Sequence, residues 1–168
     1  MEKVSLQKKQ HTLTQRDYEV LIFLIEMKFA SLDEINFKFF KNYSSDGKSV
    51  ANTYVIKRLA QLIKAGFLNS TRAFDATKRL FYPNLKAYLL LTKLFPEKKL
   101  VRPSGNIDGR TVVHDYYLLV LRLKLESAGK ASGWISDRII KTTLEVYNEL
   151  GSDLYLHPSL LRRIYGNN

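Results

Sequence analysis

Side chains with the chemistry for catalysis or metal binding are few and widely spaced in this sequence. The histidines, His11, His114 and His157, are far apart, and there is no cysteine. A zinc site needs ligands at short spacings such as His-Glu-x-x-His, and the sequence has no such motif. It also lacks a phosphate-binding loop ending in Gly-Lys-Ser/Thr and a Ser nucleophile motif. We therefore predict no enzyme activity, no metal site and no cofactor.

Two neighbouring pairs of residues have side chains that could still take part in a reaction. His114-Asp115 could act in acid–base chemistry, and Tyr116 or Tyr117 could be a nicking tyrosine. A relaxase that nicks DNA also needs a metal-binding His cluster, which the sequence lacks, so buried tyrosines at helical spacing explain that pair better. For His114-Asp115 we expect helix capping or a packed polar contact.

The basic residues indicate another chemistry, the recognition of a polyanion. The 168 residues include 27 Lys and Arg against 16 Asp and Glu, a net charge of +11. Residues 38–79 alone carry nine basic and two acidic side chains. An excess of positive charge attracts nucleic acids. The alternative, a general surplus of surface lysine, predicts an even spread along the chain.

Hydrophobic periodicity and capping residues define the elements that carry this charge. Residues 1–12 read as a flexible basic arm. Thr14 caps the first helix, and Ser31 with Glu34 forms a capping box for the second. Gly66 ends the third helix. The three predicted helices span residues 15–29, 32–40 and 49–65.

A hairpin follows the third helix, and helices follow the hairpin. Two strands, residues 67–74 and 79–83, flank a tight turn at 75–78. The third helix has a predicted buried stripe of Val55, Ile56, Leu59, Leu62 and Ile63. The later predicted elements are helix 85–95, helix 112–127, a strand at Trp134-Ile135 and a helix over 136–150.

We predict a mainly α fold with a small β-hairpin, because this order of elements is typical of a winged helix-turn-helix. The expected domains are the arm 1–12, a DNA-binding domain over 13–95, a linker over 96–111 and a helical extension over 112–168. The apolar face of helix 112–127 either forms a homodimer interface or packs back on the first helix.

The second helix of a helix-turn-helix motif enters the major groove, and its first half contacts base edges. Here that half carries Lys48, Ser49, Asn52, Thr53, Tyr54, Lys57 and Arg58. Of these, we expect Ser49, Thr53, Tyr54 and Lys57 to be the most exposed. Lys and Arg contacts to phosphate supply affinity rather than sequence specificity. The predicted phosphate contacts are Lys41, Lys48 and Lys64, with Arg72, Lys78 and Arg79 at the hairpin.

The order and spacing of four short strings resemble the replication-relaxation family of plasmid and mobile-element proteins. The resemblance covers about residues 12–127. The strings are Leu13-Thr14-x-Arg16-Asp17, Lys57-Arg58-Leu59-x-x-Leu62-Ile63-x-Ala65-Gly66-Phe67-Leu68, Leu80-Phe81-Tyr82-Pro83 and Val113-His114-Asp115. The resemblance implies a winged helix domain and a role in plasmid replication, in conjugative DNA processing or in regulating those genes.

The same family often continues into a nuclease-like region with a Trp, a helix and a Pro-Asp motif. Trp134 and His157-Pro158-Ser159 occupy comparable places in this chain. Ser159 stands where the family would have the acid, so the resemblance implies no cleavage activity for this sequence.

The predicted function is double-stranded DNA binding, as a transcriptional regulator or as an accessory factor of plasmid replication or mobilisation. The alternatives are a winged helix that binds protein without DNA, and a non-catalytic remnant of a nuclease-like protein. No apolar run reaches the roughly 18 residues of a membrane span, and the N-terminus lacks the apolar core of a secretion signal. We therefore expect a cytoplasmic protein without a membrane partner.

Overall fold

The structure is a computed structural model that describes residues 12–40, 53–74, 76–135 and 139–140. Contacts divide the chain into one unit over Met1–Trp134 and another over Ile135–Asn168. The first unit combines helices with a three-stranded antiparallel sheet. In the second unit, residues 139–140 are helical. The predicted arm before residue 12 and most of the predicted helix 136–150 lie outside the described residues.

Helix α1, Gln15–Met27, lies at the centre of the first unit. Thr14 caps it as predicted, with its backbone N–H and its hydroxyl both donating to Asp17 Oδ2, at 2.6 and 2.7 Å. The predicted end at residue 29 is wrong. The chain leaves the helix at Lys28, which has a φ of 71°, because Ala30 must reach a strand.

That strand, β1 (Ala30–Ser31), is missing from the sequence prediction. Ala30 pairs with Phe81 and Ser31 with Leu80. Two residues are too few to show the alternation by which a strand is recognised. The sheet has the order β1-β3-β2, so the predicted two-stranded hairpin gains a third strand.

Helix α2, Leu32–Ile35, is shorter than predicted because a π-helical turn, Asn36–Phe40, replaces the second half of the expected α-helix. The capping box is confirmed, since the Ser31 N–H donates to Glu34 Oε2 at 2.9 Å. In the wider turn, Phe39 packs against Phe23 with ring centroids 5.4 Å apart.

Helix α3, Thr53–Lys64, buries Val55, Leu59 and Leu62, as predicted. Ile56 is a correction, because 47% of it is exposed. Gly66, two residues after the helix, has a φ of 76°, in the left-handed region where Gly avoids steric strain. The first predicted residues of this helix lie outside the described part of the chain.

The hairpin consists of β2, Leu68–Ala73, and β3, Lys78–Pro83, and is confirmed. β3 begins one residue earlier than predicted because Lys78 pairs with Ala73. Within the turn, the Thr77 N–H donates to the carbonyl of Phe74 at 3.1 Å, and Phe74 has a φ of 54°.

Two further helices complete the first unit. These are α4, Leu85–Leu94, and α5, Val112–Ser127. α5 packs against α1 through Leu119 and Leu123. Of the two predicted roles for the apolar face of α5, this face therefore has the second, packing back on the first helix. Neither Trp134 nor Ile135 lies in a strand, so the strand predicted there is wrong. Among the helices of the described ranges, none is long and apolar enough to cross a membrane.

Candidate nucleic-acid interface

The first two turns of α3 present an exposed face beside the buried one. Thr53 and Lys57 are exposed, and 55% of Tyr54 is accessible. Val55 and Leu59 anchor the helix from the opposite side, so the backbone that carries these exposed side chains is held rigidly. Ile56 adds an apolar side chain to the exposed face. Three predicted base-contacting residues, Thr53, Tyr54 and Lys57, therefore share an accessible surface with Ile56. The prediction had placed Ile56 in the core.

Arg58, also predicted to contact DNA, is instead paired inside the protein. Its Nε donates to Asp17 Oδ1 at 2.8 Å, and one terminal nitrogen pairs with Asp17 Oδ2. The guanidinium also donates to Gln61 Oε1 at 2.9 Å and to the Thr12 carbonyl at 3.0 Å. With these four acceptors satisfying its donors, Arg58 fastens α3 to α1 and is not part of the candidate interface.

The partner of Arg58, Asp17, is only 4% exposed. Burial opposes ionisation of its carboxyl group, but hydrogen bonds from Arg58 and Thr14 outweigh burial and hold the pKa of Asp17 below its ordinary value. The Asp17 carboxylate, which must be charged to keep Arg58 in place, is thus charged at neutral pH.

Near its turn, the hairpin carries two arginines that oppose each other. Arg72 and Arg79 are cross-strand partners, and both are exposed. The Arg79 guanidinium donates to Ser70 Oγ at 2.8 and 3.1 Å and lies 5.4 Å from the Phe81 ring centroid. Like charges directly opposite each other destabilise a sheet. An anion bound between them would remove this repulsion.

Lys78, the third cation predicted at the hairpin, faces the opposite way. Its Nζ donates to the Tyr116 hydroxyl and lies 3.7 Å from Glu34 Oε1. Burial lowers the pKa of Lys78, but the hydrogen bond to Tyr116 and the charge of Glu34 outweigh it, so the pKa is raised. Because Lys78 is paired within the fold, its predicted role as a phosphate contact is corrected.

Lys64, at the last turn of α3, is exposed as predicted. Together with Lys57, Arg72 and Arg79 it forms a set that we call the exposed cations. No carboxylate of the protein lies within 4.0 Å of these four side chains in the described chain. The other predicted site residues lie outside the described residues; they are Lys41, Lys48, Ser49 and Asn52.

A shallow cleft of about 250 Å³ adjoins the first turn of α3. It lies between the beginnings of α1 and α3, where the exposed Arg16 stacks 5.0 Å from the centroid of Phe40. Phe40 in turn packs edge-on against Tyr54, with ring centroids 6.1 Å apart. The prediction missed Arg16 as a site residue because nothing in its local sequence distinguishes it from other exposed arginines on a helix.

The predicted packed contact of Asp115 is confirmed. Asp115 accepts hydrogen bonds from Lys28 Nζ at 2.7 Å and from the Thr111 hydroxyl at 2.9 Å, while the neighbouring His114 is exposed. Across the described residues, His, Asp and Glu side chains form no group of three or more with the geometry of a metal site.

Comparison of the chain with protein-family models, with curated proteins and with solved structures finds no match. The function is therefore inferred from the arrangement of the exposed cations and from the elements that carry them.

Proposed function

We propose that residues 13–95 form a winged helix-turn-helix domain that binds double-stranded DNA. The element order α1-β1-α2-α3-β2-β3 and the sheet order β1-β3-β2 support this proposal. In this arrangement α3 is the second helix of the helix-turn-helix, and the hairpin of β2 and β3 is the wing.

One observation carries the proposal: within residues 38–79, the described cations that no carboxylate neutralises lie on α3 and on the hairpin. Of the nine basic residues in 38–79, the structure describes seven. Lys38, Arg58 and Lys78 form ion pairs with Glu126, Asp17 and Glu34, which leaves the four exposed cations. An uncompensated cationic surface around an accessible helix is suited to phosphate binding.

The proposed DNA contact of each exposed side chain follows from its chemistry. Thr53 and Ile56 offer methyl groups for contact with thymine, and Lys57 reaches guanine or phosphate. Lys64, Arg72 and Arg79 contact phosphates on either side of the helix, and Arg16 adds one contact beside Tyr54. A protein of this kind would serve as a transcriptional regulator or as an accessory factor in plasmid replication or mobilisation, in the cytoplasm.

Fluorescence anisotropy with labelled duplex DNA over a range of salt concentrations tests this proposal. With the four exposed cations and Arg16 contacting phosphates, the logarithm of the affinity should fall with the logarithm of salt concentration with a slope of about −4.5. The triple variant K57A/R72A/R79A should lose about three-fifths of this slope. Lys93→Ala, which removes an exposed lysine from α4, is the matched control and should leave the slope unchanged. Absence of salt-dependent binding by the unaltered protein would refute the proposal.

A second copy of the chain is the proposed partner for the outer face of α5. Val113, Tyr117 and Leu121 follow one another at intervals of four residues and are 51, 69 and 48% exposed. An antiparallel pair of α5 helices centred on Tyr117 would place Val113 of each copy opposite Leu121 of the other, as a two-fold interface requires. Three side chains cover much less than the roughly 800 Å² per partner of a standard interface, so the dimer should be weak.

Sedimentation equilibrium tests the dimer. The unaltered protein should show concentration-dependent association, and Leu121→Glu should abolish it by placing a charge in the apolar contact. Leu89→Glu on α4, where the leucine is 58% exposed, is the matched control and should associate like the unaltered protein. A monomer at all concentrations, with or without duplex DNA, would exclude this interface.

A further inference from the structure

The turn end of the hairpin is held against α5. The ring of Phe74, the residue that follows β2, packs against Tyr116 of α5 with centroids 5.2 Å apart. Phe74 has a positive φ of 54°, which is unfavourable for a residue with a side chain. The aromatic contact with Tyr116 offsets part of the energetic cost of this backbone conformation. A hairpin of this length would otherwise extend into solvent with few restraints.

The Tyr116 hydroxyl joins three elements that are distant in sequence. It donates to Glu34 Oε1 of α2 at 2.9 Å and accepts a hydrogen bond from Lys78 Nζ of β3. Lys78 Nζ also lies 4.7 Å from the centroid of the Tyr116 ring. The pair Lys78–Glu34 thus closes a polar cluster around a single hydroxyl group, at the edge of the core. The cluster is satisfied only when the hairpin lies against α5.

The strand register connects this cluster to the exposed arginines. Lys78 pairs with Ala73, and the next pair along the hairpin is Arg72 with Arg79. Successive side chains of a strand point to opposite faces. Contacts that fix Lys78 on one face of β3 therefore also fix where Arg79 begins on the opposite face, one residue away. Phe74 does the same for the strand that carries Arg72.

We propose that Tyr116 is a positioning residue for DNA binding, which sets the orientation of Arg72 and Arg79 through Phe74 and Lys78 without touching DNA itself. This inference rests on the proposed DNA-binding function. It assigns α5 a role in recognition that is independent of any dimer, because Tyr116 lies on the inner side of the helix whereas Tyr117 is exposed.

Tyr116→Phe is the informative substitution because it removes the hydroxyl and keeps the ring against Phe74. We expect Tyr116→Phe to weaken affinity for duplex DNA about 3- to 10-fold, within the range of measured couplings between contacting residues. Amide hydrogens of β2 and β3 should exchange faster, while those of α1 should not change. Tyr88→Phe removes a hydroxyl from α4, outside this cluster, and should leave both measurements unchanged.

A double-mutant cycle separates positioning from a general loss of fold. If Tyr116 acts through the two arginines, Tyr116→Phe should have no further effect on DNA affinity in an R72A/R79A background. An equal loss in both backgrounds would overturn the proposal, as would unchanged exchange of the hairpin amides in Tyr116→Phe. Phe74→Leu, which removes the ring contact and leaves the hydroxyl cluster, should repeat the selective increase in hairpin exchange.

Failure of the two proposals gives different results. If the unaltered protein does not bind duplex DNA, the proposed function fails, and with it the role of Tyr116 in recognition. The exchange measurements still show whether the hydroxyl holds the hairpin. If the protein binds DNA and Tyr116→Phe binds equally well, only the positioning role is excluded.

Discussion

Two sets of cations, often adjacent in sequence, have opposite surroundings in this protein. Arg58 is held by Asp17, whereas Lys57, one residue earlier on α3, is exposed. Lys78 lies against Glu34 and Tyr116, whereas Arg79 projects from the other face of β3. The comparison shows that the net charge of a segment overstates its exposed cationic surface, because part of that charge forms ion pairs within the fold.

The internal set connects elements that do not follow each other along the chain. Arg122 of α5, only 7% exposed, pairs with Glu26 of α1 and Glu126 of its own helix, each at 2.7 Å. Its guanidinium also lies 5.0 Å from the Phe23 ring centroid. We refer to Lys28, Lys38, Arg58, Lys78 and Arg122 as the internal cations. If this division is correct, substitutions in the internal set should change stability, and those in the exposed set should change DNA binding.

Arg58→Ala is expected to have the largest effect. It leaves the buried Asp17 carboxylate without its main partner and should lower the free energy of unfolding by about 3 kcal/mol. Lys57→Ala, the neighbouring control, should stay within about 0.5 kcal/mol of the unaltered protein, as exposed substitutions usually do. Urea unfolding followed by circular dichroism measures both. Equal changes in stability for the two variants would remove the distinction between the internal and exposed cations on α3.

Lys57→Ala should have the next largest effect, this time on DNA affinity. If Lys57 contacts a base, binding to the preferred sequence should weaken by about 1–3 kcal/mol, and the preference should relax at one position. If it contacts phosphate alone, the loss should be the same on all sequences, with a slope against salt smaller by about 1. Anisotropy titrations on matched and scrambled duplexes distinguish the two. Unchanged affinity on both would exclude Lys57 from the interface.

The features predicted correctly from sequence are those with local signals. The caps at Thr14 and Ser31 and the glycine after α3 are decided within four residues, and the structure has all three. β1 was missed because its existence depends on pairing with Phe81, about fifty residues later. The π-helical turn also has no local signal; it coincides with the packing of Phe39 and Phe40 on distant rings.

The candidate site was predictable to the same extent and for the same reason. Helical periodicity placed Thr53, Tyr54 and Lys57 on the exposed face of α3, where the structure has them. It could not show that Arg58 would be neutralised by Asp17, which lies 41 positions earlier. Nor could alternation along β3 show that Lys78 would meet Tyr116, 38 positions later. Sorting the cations required tertiary contacts.

Acid pH should reveal the internal cations through their carboxylate partners. The pKa of Asp17 is lowered, since hydrogen bonds from Arg58 outweigh burial, and the pKa of Glu126 is lowered by Lys38 and Arg122 in the same way. A group with a lowered pKa in the folded state stabilises the protein above its unfolded pKa, and this contribution is lost as pH falls through the folded pKa. Stability should therefore decrease below about pH 4.

The Arg58→Ala variant tests the assignment of this acid dependence. Without the guanidinium, the pKa of Asp17 should no longer be lowered to the same extent, and the dependence of stability on pH should flatten by at most about 1.4 kcal/mol per pH unit. Urea unfolding, repeated at intervals of about half a pH unit between pH 2 and 6, measures the slope. An identical slope for Lys57→Ala and the unaltered protein is the expected control. A slope unchanged in Arg58→Ala would place the acid-sensitive groups elsewhere.

Arg72→Gln should have the smallest effect on stability, and in the direction opposite to the other variants. Removing one of two facing guanidinium groups relieves like-charge repulsion across the strands, so the free energy of unfolding should rise by about 0.2–1 kcal/mol. The gain should shrink at high salt, which screens exposed charges. Arg72→Lys keeps the charge and should show no gain. The same Arg72→Gln variant should bind DNA with a salt slope smaller by about 1, because one phosphate contact is lost. A variant that is more stable yet binds DNA less tightly would show that Arg72 contributes to binding and slightly lowers the free energy of unfolding. A less stable variant would show that Arg72 belongs with the internal cations.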